Sequence, residues 1–205
     1  AKVTVIEVAK LLMKDDSELT SIVLNHLRGE GITLDEGVQN LHLAKHETGV
    51  TATYDVEGEA KEIQGSHLLI ATGRKANVNG LNLEAANIQY SPRGIEVDAR
   101  LRSSNKHIFA IGDVAGPYQF THMAAYQAGI IIRNILFKMP AKVDYSAVPW
   151  VTYTDPELAH VGLSESDAKT QGKEVRVLRW SFEENDRAQA EKRTEGLVKV
   201  MVSPK

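Results

Sequence analysis

Not one of the 205 residues is cysteine. That excludes a structural disulfide, a thiolate metal site and a cysteine nucleophile within this sequence. A strong charge of one sign is also lacking. Against 24 Lys and Arg stand 27 Asp and Glu, so the formal net charge of −3 gives no reason to expect nucleic acid or an anionic membrane as partner. Long apolar runs are missing too. The best candidate, Gly129 to Phe137, is interrupted by Arg133 and Asn134, well short of the roughly 20 apolar residues that cross a bilayer. No internal repeat, low-complexity tract or secretory leader is visible, and a cytoplasmic location is expected. What remains, 42% hydrophobic and 25% charged, is an ordinary composition for a chain that buries a core in one or two domains.

The most informative stretch is Ile108 to Gly129, IFAIGDVAGPYQFTHMAAYQAG. Ile108, Ala110 and Ile111 read as a short buried strand that ends on Gly112-Asp113. A turn at Gly116-Pro117 then feeds a helix beginning near Thr121, with Ala124, Ala128, Ile131, Ile132 and Ile135 on one broad face. A carboxylate at a strand's carboxyl end, close to a helix amino terminus, is a ligand-binding corner in open α/β sheets. Asp113 is suited to accept hydrogen bonds from sugar-like hydroxyls. The unpaired N–H groups of the helix start are suited to an electron-rich oxygen.

Elsewhere the pattern alternates between strands and helices. VTVIE, Val3 to Glu7, reads as a buried parallel strand with an acidic end. Asp15, Asp16, Ser17 and Glu18 signal a helix that continues through Leu19, Ile22, Val23, Leu24 and Leu27 and stops at Gly29 and Gly31. Ile32 to Leu34 follows as a second strand, so the opening is a parallel strand–helix–strand unit. Val38 to Ala44 and Val50 to Val56 read as antiparallel strands joined around Thr48-Gly49, Gly58 to Gly65 as a polar turn region, and His67 to Ala71 as a strand leading into Thr72-Gly73-Arg74. Ile95 to Val97 is expected to form a short strand, and Lys138 to Ser146 a linker. Beyond it, Ser164 and Asp167 form a capping-box variant for a helix through Gln171, Val175 to Trp180 reads as a strand, Phe182 to Glu191 as a polar loop, and Gly196 to Val202 as a further strand. His42 and His46 lie on a strand and its turn with no acidic or cysteine partner to complete a metal site. Thr154, Asp155, Pro156 and Glu157 have the chemistry of a structural turn.

In this order VTVIE, LLIATGR, IFAIGDVAG, FTHMAAYQAG and TYTDPELAHVG resemble the FAD-dependent pyridine nucleotide–disulfide oxidoreductases, the family of lipoamide dehydrogenase, glutathione reductase and mercuric reductase. One departure is local: many members carry Arg-x-Pro-Asn after ATG, and here Arg74 and Lys75 are followed by Ala76 and Asn77. The resemblance implies an α/β fold with partial Rossmann-like NAD- and FAD-binding domains followed by part of an α+β dimerisation domain. The expected divisions are 1–73 for the NAD part, 74–142 for a returning segment of the FAD domain, and 143–205 for the dimerisation part. Two cofactors, FAD and NAD, are implied, with a homodimer formed through the carboxyl-terminal part.

The resemblance also assigns roles. Gly112 and Asp113 would bind the ribityl or phosphate part of FAD, and Phe120, Thr121, His122 and Met123 would present the helix start to the flavin pyrimidine ring. Glu7, at the end of a dinucleotide-fold strand, would accept hydrogen bonds from the adenosine ribose hydroxyls and repel a 2′-phosphate. Val38 would border the adenine, and Gly73 would lie toward the nicotinamide. Family members pass hydride from NAD(P)H through flavin to a disulfide or related substrate. Neither the G-x-G-x-x-G turn, the redox cysteine pair nor the acid–base histidine is recognised here, so a fragment of a longer enzyme, completed by an amino-terminal FAD region, is expected. The alternative is a non-catalytic nucleotide-binding or dimerisation module.

Overall fold

A computed structural model describes residues 1–204. They form two compact units, one built from residues 1–69 and 146–204 and the other from residues 70–145.

The first unit opens with the expected parallel unit. Strand β1 (Thr4–Ile6) lies parallel to β2 (Thr33–Asp35), with Thr4 opposite Thr33 and Ile6 opposite Asp35, and helix α1 (Ser17–Gly29) crosses between them. Asp16 starts α1 because its extended backbone frees its side chain to accept the Glu18 N–H at 3.0 Å. His26 and Arg28 in the last turn complement the negative end of the helix dipole. Strands β3 (Gln39–His46), β4 (Gly49–Val56) and β5 (Glu59–Gly65) form an antiparallel sheet with β4 in the centre. Alternate β4 residues Ala52, Tyr54 and Val56 turn inward and pack with Val38, Ile6 and Ile63.

Two expectations change here. Residues 59–65 are a strand rather than part of a polar turn region: every residue from Glu59 to Gly65 except Ile63 is exposed, so the run lacks the alternation of a half-buried strand, and chiefly its ladder to β4 makes it one. His67 to Ala71 is not a strand. Leu69 and Ile70 are 89% and 69% exposed, and among the described residues no strand pairs with this run, so its apolar composition has no ladder to join.

The remainder of this unit comprises the hairpin β8 (Pro149–Thr152) and β9 (Leu158–Val161), helix α3 (Glu165–Thr170), and strand β10 (Arg176–Ser181) paired antiparallel with β11 (Leu197–Val202). The capping box is present at α3, where Ser164 and Asp167 satisfy each other's backbone N–H groups. Phe182 to Glu191, expected as a loop, contains a 3₁₀ turn and then helix α4 (Asp186–Glu191). Asn185 caps α4 by accepting the Ala188 N–H at 2.9 Å, a local signal that the loop-like composition conceals.

One ammonium group joins these pieces. Lys199 on β11, with only 5% of its side chain exposed, lies 2.8 Å from Asp16, 3.0 Å from Glu18 and 2.7 Å from Glu165. Its cross-strand neighbour Arg179 bonds Glu18 at 2.7 Å and lies 3.6 Å from Glu165. Burial alone would push the Lys199 ammonium down, but hydrogen bonds to Asp16, Glu165 and Glu18 outweigh it and hold the pKa above the ordinary lysine value. The Arg179 and Lys199 bonds pull the Glu18 carboxyl from 4.5 to about 2. Trp150 Nε1 donates to Asp15 at 2.8 Å, a further tie between the start of α1 and β8.

The second unit has its own core of Ala76, Val78, Leu83 and Ile88, covered by Ile95, Ile108 and Val114. Its regular elements are the small hairpin β6 (Tyr90–Ser91) and β7 (Gly94–Ile95) and the long helix α2 (Thr121–Ile135). Ile108 to Ile111 does not form the expected strand; it makes one antiparallel bridge, Phe109 opposite Arg102. The run is buried at Ala110, but a central strand needs a neighbour along its length, and among the described residues only that bridge pairs with it. The buried seam of α2 also shifts by about one position from the expected face: Met123, Gln127 and Ile130 are buried, whereas Ile132 and Ile135 are 48% and 51% exposed.

Replacing Lys199 by methionine should destabilise the first unit. Asp16, 11% exposed, would lose its cation while Glu18 and Glu165 kept Arg179, and breaking a buried ion pair in this one-sided way costs about 3–5 kcal/mol. Urea denaturation should show the loss. The contribution of Glu18, present above the ordinary glutamate range, should disappear in the unmutated protein only as pH falls toward 2. In the Lys199→Met variant, acid unfolding should begin at higher pH.

Candidate functional site

Each unit holds part of the expected site. In the first, the backbone brings Glu7 and Val38 together: the Val38 N–H donates to the Glu7 carbonyl at 3.1 Å, and the Glu7 N–H donates to the Asp35 carbonyl at 2.9 Å. Glu7 is half-buried and Val38 is buried. One carboxylate oxygen of Glu7 accepts the Ala9 N–H at 2.8 Å, which aims the side chain along the loop after β1. Below it Asp35 accepts from the Tyr54 hydroxyl and from Lys61 at 2.9 Å. Burial would raise the Asp35 pKa, but those two hydrogen bonds hold it below the ordinary value, and burial together with Asp35 pushes Tyr54 up to about 12. This buried pair fixes the end of β2 beside Glu7.

The second unit gathers the rest. Gly112 and Asp113 lie in a single 3₁₀ turn, Gly112–Val114, just before α2. Gly112 has φ +72°, which suits glycine, and a Cβ there would stand 3.3 Å from that of Ala124. Its N–H donates to Gln127 Oε1 at 2.6 Å, and Gln127, fully buried, donates in turn to the Tyr145 hydroxyl at 3.0 Å. The turn is thus latched to the helix that follows it. On the opposite side Gly94 admits the Val114 carbonyl, which would come within 2.4 Å of any Cβ at that position.

Asp113 points outward, its side chain 49% exposed, with Arg74 3.9 Å away. Arg74 also donates to the Gln119 carbonyl, so it bridges the ATG-R segment to the approach to α2. The rings of Tyr118, Phe120 and His122 stack in sequence, with centroids 6.1 Å and 5.3 Å apart. Phe120 occupies the cap position of α2 and no side chain caps the helix. Met123 and Ala124 donate back to the Phe120 carbonyl. The N–H groups of Thr121 and His122, on exposed residues, find no hydrogen-bond acceptor among the described residues. Met123 itself is buried and anchors the first turn.

Gly112, Asp113, Phe120, Thr121, His122 and Met123 therefore form one corner. Gly73 belongs to the same unit, exposed, with φ +108° and open space around it. Arg74, Gln127 and Tyr145 belong to the corner and were not singled out from the sequence. Gln127 had a signal: a polar side chain one turn after Met123, on the face that the helix buries.

The chain matches the family described as pyridine nucleotide-disulphide oxidoreductase over residues 1–128, and that family's dimerisation domain over residues 148–205. The chain belongs to the pyridine nucleotide–disulphide oxidoreductase family. Among its relatives, dihydrolipoyl dehydrogenase from Geobacillus stearothermophilus is 36% identical over 203 residues, 98% of this chain and 43% of the relative. Mercuric reductase from Bacillus cereus is 33% identical over 207 residues, all of this chain and 33% of the relative. In structure the chain superposes on the HOCl-induced flavoprotein disulfide reductase RclA from Escherichia coli, in its Cu(II) complex, with a TM-score of 0.86 and 27% identity. That alignment covers 99% of this chain and 47% of the other. The chain thus spans less than half the length of these family members. The α/β class read from the sequence stands with them.

Gln127→Leu should loosen the corner. The substitution keeps the bulk of the side chain but leaves the Gly112 N–H without its acceptor, and an unmade buried hydrogen bond costs about 1–3 kcal/mol. A lowered thermal midpoint, with the secondary structure of the folded variant unchanged, is the expected result.

Proposed function

We propose that this chain forms part of an FAD-dependent oxidoreductase that passes hydride from NADH through flavin to a disulfide or related substrate, with Asp113 and the start of α2 holding FAD and with Glu7 and Val38 holding the adenosine half of NAD. The observation that carries the proposal is the corner itself: an exposed carboxylate next to a helix whose first N–H groups have no cap. An uncapped helix start presents donors and a positive dipole end, which stabilise negative charge. The relatives named as dihydrolipoyl dehydrogenase and mercuric reductase, and the solved structure titled a flavoprotein disulfide reductase, support the same reading.

FAD, when bound, supplies the two-electron chemistry between nicotinamide and substrate. The residues of this chain orient and bias it. Asp113 would accept from ribityl hydroxyls, with Arg74 3.9 Å away to balance its charge. Thr121 and His122 would offer their backbone N–H groups to an electron-rich edge of the bound FAD. Met123 and Gln127 keep that edge aligned by fixing the first turn of α2 to Gly112. Gly73, with open space around it, would leave room for the nicotinamide. The sequence contains no cysteine, so the dithiol that would accept electrons is not one of these residues.

The division into an NAD part through residue 73, an FAD part through 142 and a dimerisation part beyond it belongs to the same proposal. So does homodimerisation through the last part. Its support is the match to the dimerisation domain and an uncovered apolar face on the β10–β11 ladder, where Leu178 opposes Val200 and Trp180 opposes Val198. All four side chains are at least 40% exposed. Among the described residues no helix is long and apolar enough to cross a membrane, and a cytoplasmic location remains part of the proposal.

In the complete protein, Asp113→Ala should weaken FAD retention. A hydrogen bond to a charged group contributes about 1.5–3 kcal/mol, so the dissociation constant should rise roughly 10- to 100-fold. Flavin absorbance after gel filtration measures it, and unchanged flavin content would refute the assignment.

The nicotinamide preference tests the other unit. Glu7 Oε1 is held by the Ala9 N–H, which leaves Oε2 to accept from a ribose hydroxyl. A 2′-phosphate there would face a half-buried carboxylate, and Lys10 and Lys14 lack the planar grip of arginine. NADH should be preferred over NADPH, and Glu7→Arg should narrow or reverse the preference, read as the ratio of kcat/KM for the two nucleotides. An unmutated protein that already prefers NADPH would overturn this assignment.

A further inference from the structure

At the far end of α2 from Thr121 lies a cavity of about 280 Å³ between the helix end and the segment that bridges to Phe109. A helix of 15 residues separates its two ends by roughly 20 Å. Four cations line the cavity, Arg100, Arg102, Lys106 and Lys138, and no acidic residue does. Arg102 reaches Asp98 only at 3.8 Å, and Arg100, Lys106 and Lys138 make no ion pair among the described residues. Concentrating like charge around a concave surface is unfavourable unless an anion neutralises it.

The backbone keeps the charges there. Leu101 is 1% exposed and adopts φ +65°, a conformation that side-chain-bearing residues seldom take. Asp98 holds it by accepting the N–H groups of both Arg100 and Arg102, at 2.8 and 3.0 Å. With Leu101 driven into the core, its two arginine neighbours are turned out onto the cavity wall. Lys138, also at positive φ (+53°), stands just beyond the end of α2. The helix dipole accounts for Lys138, since cations suit the carboxyl end of a helix. It does not account for Arg100, Arg102 or Lys106, which lie on a different segment. The remaining wall is Phe109, Ile135, Met139 and Pro140, with one polar residue, Asn134, whose amide N–H groups are taken up by the Ile130 and Ala141 carbonyls.

We propose that this cavity binds a small phosphate ester, its phosphate gripped by the arginine and lysine groups and its carbon body laid against Phe109 and Ile135. Arginine's planar fork matches phosphate oxygens in pairs, and the lysines add charge without demanding geometry. The volume is that of a small-molecule subsite rather than of a dinucleotide. The inference does not depend on the flavin corner and stands apart from the cofactor proposal above.

The test is calorimetric titration of the complete FAD-loaded protein, at low ionic strength, with phenyl phosphate and with inorganic phosphate. Phenyl phosphate should bind at one saturable site per chain, more tightly than inorganic phosphate because only it uses the apolar wall. The double variant Arg100→Glu/Lys106→Glu should lower its affinity at least tenfold. Lys138→Glu alone should lower it several-fold, and both variants should retain their flavin. Arg133→Glu, a charge reversal on α2 outside the cavity, serves as control and should leave the affinity unchanged. Absence of saturation at millimolar phenyl phosphate, or equal affinities for the parent and the double variant, would overturn the proposal.

Discussion

The ammonium group of Lys199 is the constraint on which the first unit depends. Two helices begin near it, and each carries carboxylates in its opening turn because the positive end of a helix dipole favours them: Asp16 and Glu18 for α1, Glu165 for α3. Local chemistry therefore concentrates three negative charges in one place. Lys199 and Arg179, adjacent across the β10–β11 ladder, balance them from the facing sheet. Neither the helices nor the strands satisfy this charge alone. The pairing joins residues 183 positions apart, Asp16 and Lys199, and it carries α1, and with it the β1–α1–β2 unit beside Glu7, onto the part that matches the dimerisation domain.

The second unit depends on a neutral contact of the same kind. Gln127 is fully buried, where an amide without partners would be costly. It is satisfied from two directions, accepting from Gly112 and donating to Tyr145. Because Gln127 lies on the second turn of α2, the hydrogen bond sets the distance between the Gly-Asp turn and the helix start. Asp113 can then remain exposed without being loose, since its neighbour is fixed on one side by Gln127 and Val114 is fixed on the other by the close approach of Gly94. The turn thus combines a rigid backbone with open polar groups.

How far these features could be read in advance followed their range along the chain. The strand–helix–strand opening, the β3–β4 hairpin, the Ser164 capping box and the start of α2 near Thr121 were legible because a few adjacent residues determine each. Strand β5 was not, since all its side chains but Ile63 are exposed and mainly the ladder to β4 defines it. His67 to Ala71 and Ile108 to Ile111 failed in the opposite direction: their composition is that of buried strands, but a strand exists only with a partner. Among the candidate site residues, Glu7 and Val38 lie in the first unit, and Gly73, Gly112, Asp113, Phe120, Thr121, His122 and Met123 in the second. Arg74 and Gln127 were missed because their partners, Asp113 and Gly112, lie 39 and 15 positions away in the chain.

Helix α2 gives the second unit its polarity. Its amino end has neither a capping side chain nor an acidic residue in the first turn, an omission that leaves donors and partial positive charge unsatisfied. Its carboxyl end is arranged in the reverse sense, with Arg133 in the last turn and Lys138 shortly beyond. Had the amino end only a structural task, a serine, threonine or aspartate in place of Phe120 would stabilise the helix by about 1 kcal/mol. The aromatic residue instead stacks with Tyr118 and His122 and keeps the N–H groups of Thr121 and His122 clear. The start of α2 thus forgoes a side-chain cap in favour of a ring stack, and it leaves two backbone N–H groups and the exposed carboxylate of Asp113 open in the same unit.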